Sequence, residues 1–482
     1  MHNFKERFAK NSFLVTFSIL FCVHAEATNY YFSNKGSDAN SGTSTSTPWQ
    51  TISKFNSVFA SLNPGDKIFF KRGDTFRGSL IISRSGSADN QMVIGAYGSG
   101  AKPLFLGSKQ ANNLTYWVDQ GGNIWQDSDP AFTVDVGNLI FNNEASCGIK
   151  IMSASPTFTT QGQFWYDFTN HRIRMYSVGN PASFYTDIQC ALRYSAVNIS
   201  TGETYITFTN LDFRYYAQCV WERNGDYITW DSVDMSYIGG ADFHGDYKVR
   251  YGNGLQMWRG RHDITIVRCN ISNIFDSGIS PQGAAISGGF TVYNIYMRNN
   301  IISNCEMDFE FWEQDSSSSA HDIYFENNTC VNGGGGWGHN QRPDVVHGTC
   351  FYICFFIAAK SNIFIRNNII YNATESLVKV QTAPGHPVRP AMYDLTNMIL
   401  DYNDYYQPKG GIIAYVSWDR VSHPTLALWK SAIGQEAHSI GSDPLFKSAS
   451  DFHLQAGSPA MKAGIDVGIP FTGSAPNMGA LQ

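Results

Sequence analysis

The run EMDFEFWEQD, beginning at Glu306, sets two acids, Asp308 and Glu310, two residues apart among aromatic neighbours. On a strand that spacing puts both side chains on one face, with Cα atoms about 6.6–7 Å apart. Carboxyl pairs about 5–9.5 Å apart are the machinery of glycoside hydrolysis, one acting as acid and the other as base or nucleophile. Trp312 beside them would desolvate Glu310 and raise its pKa toward that of a working acid. The expected roles are Glu310 as proton donor and Asp308 as partner carboxylate.

A second constellation follows in GGGGWGHNQRPD, from Gly333 to Asp344. Its glycines allow a backbone to approach a ligand or a neighbouring chain segment closely. Trp337, His339, Gln341, Arg342 and Asp344 concentrate groups that stack, move protons or bind hydroxyls and carboxylates. His339 is the expected auxiliary catalytic group, and the other four are expected substrate contacts. Upstream, GLQMW, GISPQ and DFEFW align so that Leu255, Ile279 and Phe309 face inward, with Met257, Pro281 and Phe311 two positions on. Gln256, Trp258, Ser280, Gln282, Asp308, Glu310 and Trp312 then face outward. An amide-rich and aromatic face suits sugars, whose rings stack on Trp and whose hydroxyls meet amides. Gln256, Trp258, Gln282 and Trp312 are therefore candidate substrate-binding residues.

A rival chemistry is a lyase or uronate epimerase, in which Lys248, Arg342 or His339 lies near the abstracted proton; Arg250, beside Lys248, shares that setting. A third reading is a glycan-binding solenoid without catalysis. Lys379 could meet an acidic sugar one coil beyond the groove, and Glu222 could close its other end. His339, His347 and Asp344 lack a recognised ligand spacing, so no metal site is expected. Calcium held by loop carboxylates is allowed but tied to no particular residue, and no cofactor is required. The Gly-rich segments carry no phosphate-loop signature.

These residues must be positioned by a repeat. Seven segments share one pattern, with anchors at Ile206, Ile228, Ile264, Ile295, Ile323, Ile363 and Met398, separated by 22, 36, 31, 28, 40 and 35 residues. Each opens with alternating apolar residues, the signature of a strand. Asn300, Asn328 and Asn368 each lie five residues after their anchors, and Asn273, Asn304, Asn332 and Asn372 nine after theirs. Equivalent Asn side chains at successive turns can form a ladder, since an amide both donates and accepts. Ile271, Ile302, Cys330 and Ile370 share one inward position, placing Cys330 in a core stack. The expectation is an all-β protein, a right-handed parallel β-helix.

Length and composition agree. A chain of 482 residues with 43% hydrophobic, 15% charged and 14% aromatic residues can bury a large core and is no coiled coil. A net charge of −6 without a basic patch argues against nucleic acid as a partner. Lys5, Arg7 and Lys10, the apolar run Phe13 to Val23 and Ala25-Glu26-Ala27 read as a secretory signal peptide over residues 1–27. No later stretch is long and apolar enough for a transmembrane segment. A secreted or periplasmic protein acting on extracellular polysaccharide or oligosaccharide is expected. Eight cysteines lie beyond the leader, scattered as buried thiols with room for one or two bridges rather than as a disulfide scaffold. Between about Gly107 and Arg193 the repeat lapses, and FWYDFTNHRIRMYS from Phe164 reads as a hairpin with its turn at Asp167 to His171. The expected organisation is a cap and first coils over 28–106, a β-rich insertion over 107–193, and the main helix with its C-terminal cap over 194–482.

The opening YYFSNKGSDANSGTSTSTPWQTI and GDKIFFKRGDTF resemble the first coils of secreted bacterial pectate-lyase-like β-helix proteins. The closing DPLF, DFHL and SPAMKAG resemble the C-terminal end of the same superfamily. The resemblance implies the fold and an activity on polysaccharides; these end motifs specify no reaction. FEFW with GWGHNQRPD is similar to a recurring pair in bacterial β-helix proteins of carbohydrate degradation, which implies where the site lies. The hairpin region is similar to insertions in large β-helix glycosidases.

Overall fold

The computed structural model describes residues 27–199, 201–284, 286–343, 345–355, 359–381, 395, 397–408, 410–416 and 420–482. The expected leader, apart from Ala27, and Asp344 therefore lie outside the described residues.

The seven anchors pair in parallel register through one ten-stranded sheet that runs from Asn29–Phe32 to Met398–Asp401. A nine-stranded sheet carries the second strand of each repeat, and there Ile271, Ile302, Cys330 and Ile370 stack in register. An eight-stranded sheet closes each coil, parallel throughout except at its last pair. Consecutive strands thus visit three sheets in turn, which is the expected right-handed parallel β-helix. One continuous core fills its interior, from Phe32 at the N-terminal end to Trp429 and Ile433 of the closing helix Leu426–Ile433.

The turn asparagines explain how coils of unequal length stay aligned. Asn300 donates to Asn328 (3.0 Å), Asn328 to Asn368 (3.2 Å) and Asn368 to Asn403 (3.0 Å), all fully buried. Each amide also donates to a strand carbonyl such as Ile266 or Met297, so polar groups inside the coil corner are satisfied. Glu436 ends the row, accepting from Asn403, Tyr405 and Ser439. Asn273, Asn304, Asn332 and Asn372 adopt positive φ of 55 to 62°, the left-handed turn that Asn tolerates.

Residues 108–192 depart from the coils as a four-stranded and a five-stranded sheet around a core of their own, including Phe132, Leu139, Phe141, Phe164, Tyr166 and Ile173. The strands Gln163–Asp167 and Arg172–Tyr176 form a hairpin, with His171 at positive φ. A buried ion pair, Lys150 with Asp135 at 2.7 Å, lies where this unit meets the helix. Asp135 also accepts the backbone N–H of Asp242, and Arg250 donates to Gly137 across the seam and to Gly240 on its own side. All eight cysteines from Cys147 to Cys354 are free thiols.

Candidate functional site

The strand Met307–Gln314 lies in the eight-stranded sheet between Ser277–Ala284 and Thr349–Phe355. Leu255, Ile279, Phe309, Met257 and Phe311 are buried in the core, so Gln256, Ser280 and Glu310 turn outward with Trp258, Gln282 and Trp312 beside them. Register extends the first row from Glu222 through Gln256 and Ser280 to Glu310, Tyr352, Lys379 and Tyr415. The second row is Trp258, Gln282, Trp312, Cys354 and Gln381. The Trp258 and Trp312 rings lie nearly parallel, 6.5 Å apart.

Glu310 is 4% exposed and its Oε2 accepts from Ser277 Oγ (2.7 Å), Ser280 Oγ (2.8 Å) and Gln282 Nε2 (3.2 Å). Oε1 accepts from none of the described residues and is not sealed from solvent, so it is the oxygen presented to the groove. Burial, then the nearby Asp276 carboxylate, push the Glu310 carboxyl up to about 7, against the hydrogen bonds from Ser277 and Ser280. The amide orientations are fixed from a backbone group. Ser277 N–H donates to Asn253 Oδ1 (2.9 Å), Asn253 Nδ2 donates to Gln282 Oε1 (3.4 Å), and Gln256 Nε2 donates to the same oxygen. Gln282 must therefore turn its NH₂ toward Glu310.

Asp308 does not join Glu310 on the outer face. Alternation breaks at the coil corner, where Asp308 and Phe309 both turn inward, so Asp308 is fully buried. Its Oδ1 accepts from Cys305 N–H (3.4 Å) and its Oδ2 has no hydrogen-bond partner among the described residues. Burial holds its carboxyl well above the usual carboxylate range. The column that contains it, Gly254, Gly278, Asp308, Cys350 and Leu377, is otherwise small or apolar, the signal of an inward corner.

The carboxylate that accompanies Glu310 is Asp276, which the sequence reading passed over. It accepts from Arg342 Nη1 at 2.9 Å in a mostly buried ion pair. Asp276 belongs to a column of turn positions with Glu306, Gly348 and Glu375, each just before its strand. Extending the alignment two residues upstream would have exposed this acidic column.

The loop after Gly333 folds back over that column. Glu306 accepts from His339 Nδ1 (2.9 Å) and from the backbone N–H groups of His347 (2.6 Å) and Gly348 (3.1 Å). His339 is thus placed beside Glu306, one coil from Asp276. His347 packs on Tyr352, its ring centroid 4.5 Å away, and burial with the nearby Lys379 and Arg342 cations depresses its pKa to about 3. Lys379 Nζ lies 3.8 Å from Glu375, its pKa lowered first by burial.

Two expected substrate contacts face elsewhere. Trp337 donates Nε1 to Asn273 O (2.9 Å) and packs on Phe275, while Gln341 Nε2 donates to Gly148 O (2.9 Å). Gln341 Oε1 accepts from Lys150 N–H and Arg250 Nη1, both at 3.1 Å. Both residues tie the loop down, Gln341 to the inserted unit, and the backbone carbonyls to which they donate at Asn273 and Gly148 are more than 60 residues away. Lys248 is exposed and paired with Asp246, and Arg250 is wholly buried at the seam. Among the described residues no group of three or more His, Cys, Asp or Glu side chains is arranged to hold a metal ion.

No family model matches the chain. A lacto-N-biosidase of Bifidobacterium longum subsp. longum is 38% identical over 85 residues, 17% of this chain and 5% of that protein. The chain therefore spans about one twentieth of the length of the curated relative it matches. A solved structure of XylC in complex with xylose is similar over 81% of this chain and 66% of its own, at 12% identity and a TM-score of 0.50. The pectate lyase Pel9A structure aligns over 94% of this chain and 96% of its own, at 14% identity and a TM-score of 0.47.

Proposed function

We propose that this protein is a secreted glycoside hydrolase that cleaves an extracellular polysaccharide or oligosaccharide in the groove around Glu310. The observation that carries the reading is the setting of Glu310, a buried carboxyl with three donors on one oxygen that burial pushes up to about 7, beside Asp276 in its ion pair with Arg342. Two carboxyls whose surroundings separate their proton affinities divide into an acid and a charged partner. With three donors on Oε2, the proton of the neutral acid resides on Oε1, facing the groove. It passes to the glycosidic oxygen as the C–O bond breaks, while the positive charge growing on the sugar is met by Asp276. Water completes the hydrolysis, and Glu310 is reprotonated. Trp312 and Trp258 offer aromatic surface to the sugars, and Gln256 and Gln282 carry the amide relay beside them.

The setting of the cations weighs for hydrolysis over lyase chemistry. A lyase must neutralise a uronate carboxyl at the reacting sugar, yet Arg342 is committed to Asp276 and Lys379 faces Glu375. The test is incubation of the purified protein with neutral and uronic polysaccharides, following reducing ends and ultraviolet absorbance of unsaturated products together. New reducing ends without unsaturation are expected. Unsaturated ends would transfer the assignment to a lyase, and binding without either product would leave a glycan-binding solenoid.

A further inference from the structure

Two coils toward the N-terminus of Trp312, a second charged cluster stands on the same groove. Trp258 stands two strands from Trp312, about 10 Å away along the backbone, and its ring leans to within 6.5 Å of the Trp312 ring. The guanidinium of Arg259 is 5.1 Å from its ring centroid and that of Arg223 is 6.0 Å away. Arg259 spends Nε on Ala284 O at 3.1 Å and keeps both terminal nitrogens for other partners. Glu222, beside Arg223 in sequence, accepts from Gln218 instead. Among the described residues neither the Arg223 nor the Arg259 guanidinium forms an ion pair, in a protein whose net charge is −6.

We infer that this cluster is a subsite for a sugar bearing an anionic substituent, a carboxylate or a sulfate ester, two coils from the bond that is cleaved. A guanidinium is planar and presents paired N–H donors that fit such oxyanions, and an adjacent aromatic surface lowers its hydration and limits its freedom. Around Glu310 the cations are already opposed by acids, so an anionic substituent is recognised at Trp258 and a sugar without such a substituent is favoured at the reacting position. The inference rests on the proposed hydrolytic reading for its place along the substrate, though the subsite itself depends only on the groove.

The test is calorimetric binding to the full chain carrying Glu310→Gln, which removes turnover. One arm uses tetragalacturonate and its carboxyl-reduced form; the other uses a sulfated galactan tetrasaccharide and its desulfated form. In at least one arm the anionic ligand is expected to bind about tenfold more tightly than its neutral counterpart, with a preference that shrinks as salt rises. Adding Arg223→Gln and Arg259→Gln should erase that preference while leaving affinity for the neutral form unchanged. Which arm responds identifies the substituent. Equal binding of charged and neutral forms in both arms, or a preference that survives loss of both arginines, would overturn the subsite. If the wild type cleaves no glycan yet the preference appears, the hydrolytic reading fails and the subsite stands.

Discussion

Gln282 donates its side-chain amide to Glu310 Oε2 at 3.2 Å, and its own oxygen is held by Gln256 and Asn253. In the proposed hydrolase, this chain of amides, which starts at a backbone N–H, leaves the Glu310 proton to the other oxygen.

Removing a donor that favours the charged carboxylate raises the pKa of Glu310, and removing the neighbouring negative charge lowers it. Ser280→Ala should therefore move the basic limb of the pH–rate profile upward from about 7, by roughly 0.4–1 pH unit for one hydrogen bond. Asp276→Asn should move it downward and slow cleavage as well. Profiles of kcat/KM measured from pH 4 to 10 check both signs, and equal shifts in one direction would contradict the arrangement.

Trp312 offers stacking surface without touching the proton. Trp312→Ala is expected to raise KM about 5–50-fold with a smaller change in kcat, as loss of uniform binding requires. Steady-state kinetics on an oligosaccharide substrate separate the two parameters.

Glu436 closes the asparagine row as a buried acid, its pKa raised by burial to about 7. Because the folded state holds this proton more tightly than the unfolded chain, its contribution to stability is full below the ordinary Glu value and is lost as pH rises toward 7. Asp404, raised to about 8, extends the same loss further. The melting temperature should fall from pH 5 to 8, and Glu436→Gln should flatten part of that slope in a calorimetric series.

The pair Lys150–Asp135, with both side chains 1% exposed or less, fastens the inserted unit. Lys150→Met alone leaves a buried carboxylate unpaired and should cost about 3–5 kcal/mol. Lys150→Met with Asp135→Asn, which keeps an acceptor for the Asp242 N–H, should recover part of that loss in denaturant unfolding.

Much of the fold was legible because a solenoid writes itself into sequence as repetition. The anchors from Ile206 to Met398 fell in register, the ladder of Asn300, Asn328 and Asn368 formed, and Cys330 took its place between Ile302 and Ile370. Glu310 and its outward neighbours followed from strand alternation. Asp308 was misplaced because alternation ends at a coil corner, where two successive side chains face inward. Asp276 was missed because it stands on the turn ahead of the strand, where no period marks it. Trp337 and Gln341 looked like groove residues, yet their partners are backbone groups at Asn273 and Gly148, and such pairings across long stretches of chain leave no local trace.

The central claim is that Glu310, and not Asp308, supplies the proton. Cleavage rates of Glu310→Gln and Asp308→Asn, measured by reducing-end release at pH 6 on the best polysaccharide substrate, test it most directly. The account predicts that Glu310→Gln loses about 10²–10⁴-fold in kcat with its fold intact, whereas Asp308→Asn, a neutral side chain replacing a buried neutral acid, retains activity within a few-fold. Full activity in Glu310→Gln, or its loss in a folded Asp308→Asn alone, would contradict it.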